Sequence, residues 1–346
     1  MKDIWKVTFV IIGTIIGAGF ASGQEIYLFF NRYGPIGMIG MAVSCIFTSF
    51  LIYKIFCILQ KKEIDNYGTF LEKINKNEKI NKIIQVIIQV FLLISFYIMI
   101  AGMSAYFKQE FGISTWICSG IMALCCYLVL QRDIKGVMWL NNLLIPCLIL
   151  FIFYLGFKNL DVTALYFQNL DVDIWQFPHW LISSVLYASY NSILLIPMLI
   201  ELKPYISSKS KAKRTSIICS ILLTLVGICL FCLLANSGNY VQEIELPMLE
   251  ITKQFGRIYP YFYGGVIVVA IFTSAIAAGY GFLKNQIAIG INSKKEEERK
   301  YKKWLIGICL FAPVIADFGF SNLVSSLYPI FGVLGLLQIY AIFRTK

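Results

Sequence analysis

Apolar runs of roughly 20 residues, separated by short polar punctuation, repeat along this chain. They fall near 4–30, 35–60, 83–107, 114–131, 136–158, 178–202, 214–237, 260–284, 303–317 and 320–343. A helix of about 20 residues crosses the ~30 Å hydrocarbon core of a bilayer. The pattern therefore predicts an all-α integral membrane protein with ten transmembrane helices in one membrane domain over residues 1–346. The first run is too long for the apolar core of a cleavable signal, about 7–15 residues.

Two runs depart from a plain apolar pattern. In the first, Gly13-Thr14-Ile15-Ile16-Gly17-Ala18-Gly19-Phe20-Ala21-Ser22-Gly23-Gln24-Glu25 places four glycines, a glutamine and a carboxylate at membrane depth. Each glycine costs a helix about 1 kcal/mol against Ala, and the carboxylate about 2.5–3.5 kcal/mol or more. Lipid cannot satisfy free backbone groups, so a helix that breaks there must be buried in protein or line a cavity. In the sixth run, Tyr187-Ala188-Ser189-Tyr190-Asn191-Ser192 is polar in mid-run, and Pro197 and Pro204 follow; Pro35 follows the first run. Two interrupted helices in matching positions predict a five-plus-five inverted repeat, about 4–158 and 178–343, with helices one and six broken.

Composition agrees. Of 346 residues, 58% are hydrophobic and 14% charged, where soluble chains have about 45–50% and 25%. The net charge of +11 raises the question of nucleic acid, but its distribution answers it. With the N-terminus in the cytoplasm, 24 of the 30 Lys and Arg fall on that side and 5 on the other. That bias is the positive-inside rule. It predicts a multi-pass protein of the cell membrane with both termini cytoplasmic, and no nucleic-acid partner. The inner loops 61–82 and 285–302 are solvated and charged. The outer loops 159–177 and 238–259 carry Asp161, Asp171, Asp173, Glu243, Glu245 and Glu250. Within the second, Leu246 to Ile251 is amphipathic and reads either as a lid or as an ordinary loop. Ten cysteines all lie in apolar runs and read as small hydrophobes, Cys229 and Cys232 included. The single histidine, His179, sits at an outer mouth.

Candidate chemistry gathers at the first run. A break near Gly17 to Ala21 would free the N–H groups of Ala21, Ser22 and Gly23 for an anionic group, with the Ser22 side chain as cap. The carbonyls of Gly13 and Ile16 would face a hard cation such as sodium. Thr273 and Ser274, adjacent hydroxyls among small residues, suit the same ion, although each can equally bond back to its own helix. The glycine spacing also fits close helix packing, but packing does not account for Gln24 and Glu25. Glu25 could take a proton, bind an ammonium or pair with a cation. Gln85, Gln89, Ser95, Asn141, Asn142, Ser325 and Ser326 are explained by hydrogen bonds between helices.

Residues 13–26, Gly-Thr-Ile-Ile-Gly-Ala-Gly-Phe-Ala-Ser-Gly-Gln-Glu-Ile, resemble the signature of the bacterial YkvI-type membrane proteins. That family is similar to the amino acid–polyamine–organocation superfamily, with its LeuT-type five-plus-five fold. The resemblance implies a helix break at Gly17-Ala18-Gly19 and a sodium site of Gly13, Ile16, Thr273 and Ser274. It also implies a second break over Tyr187 to Ser192. Gln24-Glu25 departs from the pattern of many amino-acid carriers. The expected function is secondary active transport of a small polar solute, an amino acid or amine, by alternating access with sodium or proton coupling. Ala21, Ser22, Gly23 and Glu25 would meet the solute, with Tyr190 and Asn191 opposite. A non-transporting sensor on the same fold is the alternative. No set of His, Cys or paired carboxylates suggests an enzyme, and no cofactor is expected beyond a sodium ion. The bilayer and a small solute are the expected partners; nothing in the pattern specifies an oligomer.

Overall fold

The computed structural model describes residues 2–61, 64, 67–131, 135–158, 177–235, 244–287 and 294–345. The outer loop with Asp161, Asp171 and Asp173, and Glu243 of the next one, lie outside the described residues. Among the described residues every regular element is helical. The chain runs α1 Lys2–Ile15, α2 Ala18–Ser22, α3 Gln24–Phe29, α4 Pro35–Lys61, α5 Tyr67–Ile74, α6 Glu78–Phe111 and α7 Thr115–Leu130. It continues through α8 Lys135–Lys158, α9 Phe177–Leu202, α10 Lys209–Ala235, α11 Pro247–Lys253, α12 Tyr259–Ile287, α13 Lys294–Ala316 and α14 Phe320–Arg344.

Among the described residues, six helices are long and apolar enough to cross a membrane, those corresponding to α4, α6, α9, α10, α12 and α14. Their ladders satisfy the backbone internally, as an apolar medium requires. The longest, α6, has 34 residues, about 50 Å at 1.5 Å per residue. Its ends are defined chemically. The Asn77 side chain accepts from the N–H groups of Lys79 and Ile80, and Gly112 closes the far end at φ +67°. The other expected crossings differ in kind. The first is split over α1, α2 and α3; α7 has 16 residues; and α13 opens on the charged stretch Lys294 to Lys303.

The elements pack as α14 on α9, α12 on α6, and α4 against both α9 and α10, with α1 touching α8, α9 and α10. Small residues set the closest approach. A Cβ on Gly335 would lie 2.7 Å from the Ser189 carbonyl, and one on Gly332 would lie 2.9 Å from that of Leu186. Two faces can be distinguished. Asp3–Lys211 (3.7 Å) and Lys6 over the Tyr205 ring (4.7 Å) mark the face where α1 begins. At the opposite face, α11 is largely buried on α2, α10 and α12. Gln109 Oε1 accepts from the Leu246 N–H (3.3 Å), and Lys253 pairs with Glu110 and Glu250 at 2.8 Å each. The Leu246 to Ile251 segment is thus a docked cap.

One expectation is corrected. The sixth apolar run is not broken: α9 is a continuous α-helix with Pro197 inside it. Its polar residues turn back onto their own ladder. Asn191 Nδ2 donates to the Tyr187 carbonyl (3.0 Å), Ser192 Oγ to Ser189 (2.6 Å) and Ser184 Oγ to Trp180 (2.8 Å). Such back-bonding lets polar side chains sit in an intact helix. The interruption of α1 therefore has no counterpart in α9.

The α9–α14 seam makes a prediction. Gly335→Leu should destabilise the purified protein by about 1–3 kcal/mol, the usual cost of overpacking. Val333→Leu, at an exposed position of the same helix, should change little. Thermal unfolding in detergent checks both, and equal effects would remove the seam as a constraint.

Candidate functional site

The first apolar run breaks twice. The ladder of α1 ends with Ile16 N–H to Ile12 (2.7 Å), after which Gly17 N–H turns to the Ile15 carbonyl (2.9 Å). A continuous helix would pair the Gly17 N–H with Gly13, and the Phe20 N–H with Ile16. Both carbonyls are left outside the ladder. Gly17 is extended (φ −88°, ψ −165°), and α2 then starts with Ala21 N–H to Gly17 (3.0 Å). Six residues after Gly17, Gly23 adopts φ +88° and ends that turn. A side chain at Gly23 would be strained at this φ, and its Cβ would fall 2.9 Å from Met248 Cγ. The third piece, α3, begins at Gln24, whose Nε2 donates to the Ile244 carbonyl of the cap (2.6 Å).

These breaks aim Glu25 inward, at 2% exposure. Its side chain folds back over Gly19, where an added Cβ would lie 2.7 Å from Glu25 Cγ and 2.8 Å from Cδ. The Tyr190 hydroxyl of α9 donates to Glu25 Oε2. The Phe20 N–H faces the same carboxylate, and the buried Tyr187 hydroxyl lies beside it with no hydrogen-bond partner. Aromatic rings hold the donor in place. Tyr190 stacks on Tyr328 (4.8 Å between centroids) and on Phe29 (5.6 Å), and meets Tyr187 edge-on at 5.3 Å. Stacked and edge-on pairs each add about 0.5–1.5 kcal/mol beyond burial.

Glu25 and Tyr190 form one wall of a cavity with about 780 Å³ of empty space, open solvent at its mouth included. From the break it runs along Gly13 and Thr14 of α1, Leu92 of α6, Pro197 and Met198 of α9, and Gly281 of α12. That direction leads to the face where α1 begins. Towards the opposite face the way is shut. Tyr263 donates to the Ala21 carbonyl (2.6 Å), and Gln24 is tied to the cap.

The expected site residues divide. Gly13, Glu25, Tyr190, Asn191 and Ser274 line the cavity; Ile16, Ala21, Ser22, Gly23 and Thr273 do not. The break lies at Gly17, ahead of α2, and this places the N–H groups of Ala21 and Gly23 within hydrogen bonds to Gly17 and Phe20. Ser22 Oγ donates to Gly19 (3.1 Å) and accepts from the Gln24 N–H (3.3 Å), so it serves the second break and not the first. Thr273 bonds back to Ala270 (3.1 Å), while Ser274 faces Gly17, whose Cβ would lie 3.9 Å from its hydroxyl. Two lining residues carried little signal. Tyr328 is one of twenty tyrosines. Ser95 fitted a helix–helix hydrogen bond, yet its buried Oγ has no partner and faces the cavity.

No family model matches the chain. It is 28% identical over 351 residues to the uncharacterized membrane protein YkvI of Bacillus subtilis (strain 168), covering 99% of this chain and 95% of that one. Among solved structures it is similar to a Na+-coupled sialic acid symporter in a substrate-bound outward-open state (TM-score 0.62, 14% identity, 98% of this chain and 78% of that one). It is equally similar to MhsT in complex with L-phenylalanine (TM-score 0.62, 16% identity, 98% and 91%). The chain is a membrane protein of the same fold as these transporters.

The contact between Gly19 and Glu25 can be tested directly. Gly19→Ala should cost about 1–3 kcal/mol of stability, and the cost should vanish in a Glu25→Ala background. A double-mutant cycle of unfolding free energies reads this coupling. Equal costs in both backgrounds would mean that Gly19 is required for another reason.

Proposed function

We propose that this chain is a secondary active transporter of a small polar solute, coupled to sodium or protons and working by alternating access. The observation that carries this is a buried carboxylate, Glu25, held at a helix break on the wall of a cavity that leads to one face only. Broken membrane helices are tolerated where they line such cavities, and they build the ion and substrate sites of secondary transporters. Na+-coupled symporters among the structural neighbours support the same reading. A cavity with one carboxylate and phenolic partners, without a paired acid and base, supports a carrier and not an enzyme. The reading extends to ten crossings in two halves. With the basic loops in the cytoplasm, the cavity opens inward.

The donors fit a sodium ion. The Gly13 and Ile16 carbonyls stand outside the helix ladder, and Ser274 faces the break. Thr273 spends its proton on Ala270, which leaves its oxygen lone pairs available. When bound there, the ion would supply positive charge beside α1 and tie α1 to α12. Glu25 offers the alternative, as a carboxylate that can carry a proton.

Purified protein in liposomes decides between transport and sensing. Labelled amino acids and amines should accumulate under an imposed sodium or proton gradient. Glu25→Gln should lower accumulation at least about tenfold, equivalent to 1.4 kcal/mol. Saturable binding with no accumulation under either gradient would make the protein a sensor and end the transporter reading.

A further inference from the structure

Among the described residues, the lining of the cavity contains one carboxylate and no Lys, Arg or His. Several of its polar groups have already given a proton within the protein. Asn191 commits its amide nitrogen to the Tyr187 carbonyl, so that its buried Oδ1, which has no partner, is the free end. Thr14 gives its proton to Val10 (2.9 Å), and Tyr190 gives its own to Glu25. The side-chain donors left on the wall are neutral ones, the Ser95, Ser274 and Tyr328 hydroxyls and the second amide proton of Asn191. The backbone N–H groups of Ala21 and Gly23, the expected anchors for a solute carboxylate, are already engaged, and the Glu25 side chain covers Gly19. A solute carboxylate would therefore leave water to sit beside a like charge, with no cation to meet it. The remaining wall is apolar: Leu92, Met99, Leu194 and Met198, with the stacked rings of Tyr190 and Tyr328. Aromatic faces attract cations, and methionines adapt to varied apolar shapes.

We propose that the cavity takes organic amines with an ammonium group on an apolar body and no carboxylate, with Glu25 as the counter-ion and the Asn191 and Ser95 oxygens as further acceptors. This narrows the solute of the transporter reading on which it rests, but binding tests it apart from transport.

The test uses the full-length protein in detergent and sets of ligands that share a skeleton and differ only in charge. One set is phenethylamine, phenylalanine and 3-phenylpropionate. Isobutyl and indolylethyl sets vary the size. Calorimetry should show saturable binding of at least one amine, about tenfold or more tighter than its amino acid, and no binding of the carboxylate. Glu25→Gln should weaken the amine at least about tenfold, as expected for loss of a buried charge partner. Asn191→Asp, which adds a second acceptor charge, should not weaken it. An amino acid that binds as well as its amine, a carboxylate that binds, or the failure of every amine would overturn the proposal. Gradient-driven uptake without amine binding would sink it and keep the transporter; amine binding without uptake would do the reverse.

Discussion

The structure depends on how one carboxylate is kept in an apolar interior. Glu25 lies against Gly19, six residues earlier in the chain. In a straight helix six residues advance about 600°, so the two positions would point to well-separated sides of the cylinder and lie about 9 Å apart along it. No continuous helix could fold Glu25 back over Gly19. The positive φ of Gly23 lets α3 swing round, and the extended Gly17 lets α2 step away from α1. The glycines are thus needed to shelter the carboxylate, and without it a membrane helix would gain nothing by breaking. Tyr190 supplies the donor, and the ring stack around it supplies rigidity.

The same short segments also seal the opposite face. Ala21 takes the hydroxyl of Tyr263, Gln24 holds the Ile244 carbonyl, and Gly23 packs beneath Met248 of the cap. Site and seal therefore share α2 and α3. Opening the far side would have to break these contacts, and any move of α2 or α3 would shift Glu25 against Tyr190. A ligand moves such an equilibrium only by its differential affinity for the two arrangements. Glu25 is where that difference could arise, because it sits on α3 and its partners come from α2 and α9.

How much of this could be read from residues alone depends on range. The break of the first helix was legible, since glycines and a carboxylate in an apolar run have no cheap explanation in lipid. The six long apolar helices were legible from apolar length. The end of α9's legibility is instructive. Tyr187 to Ser192 looks like Gly13 to Glu25 in polarity, but Ser and Asn can close bonds within a helix, and glycine cannot. The polar count was similar and the chemistry opposite. The first break falls at Gly17, one turn ahead of Ala21, Ser22 and Gly23, and at Gly23 an added Cβ would meet Met248 and Leu234, more than 200 residues away in sequence and out of reach of a local reading. Ser95 and Tyr328 lay beyond sequence reasoning for the same reason: only packing decides which of many serines and tyrosines faces a cavity.

A shared fold does not carry a shared substrate; the site must be argued on its own residues. Here, among the described residues, the wall holds a single carboxyl group in a setting where a bare charge is expensive. Whatever neutralises it, whether a proton, a sodium ion nearby or an ammonium group, removes that cost. The arrangement in which the carboxylate is both ionised and alone is the least favourable one. A carrier built this way moves most readily when the charge is matched, and a bare carboxylate resists the change of shape. In the proposed carrier, coupling between solute and ion would follow from electrostatics at one residue, with no need for a long relay between distant sites.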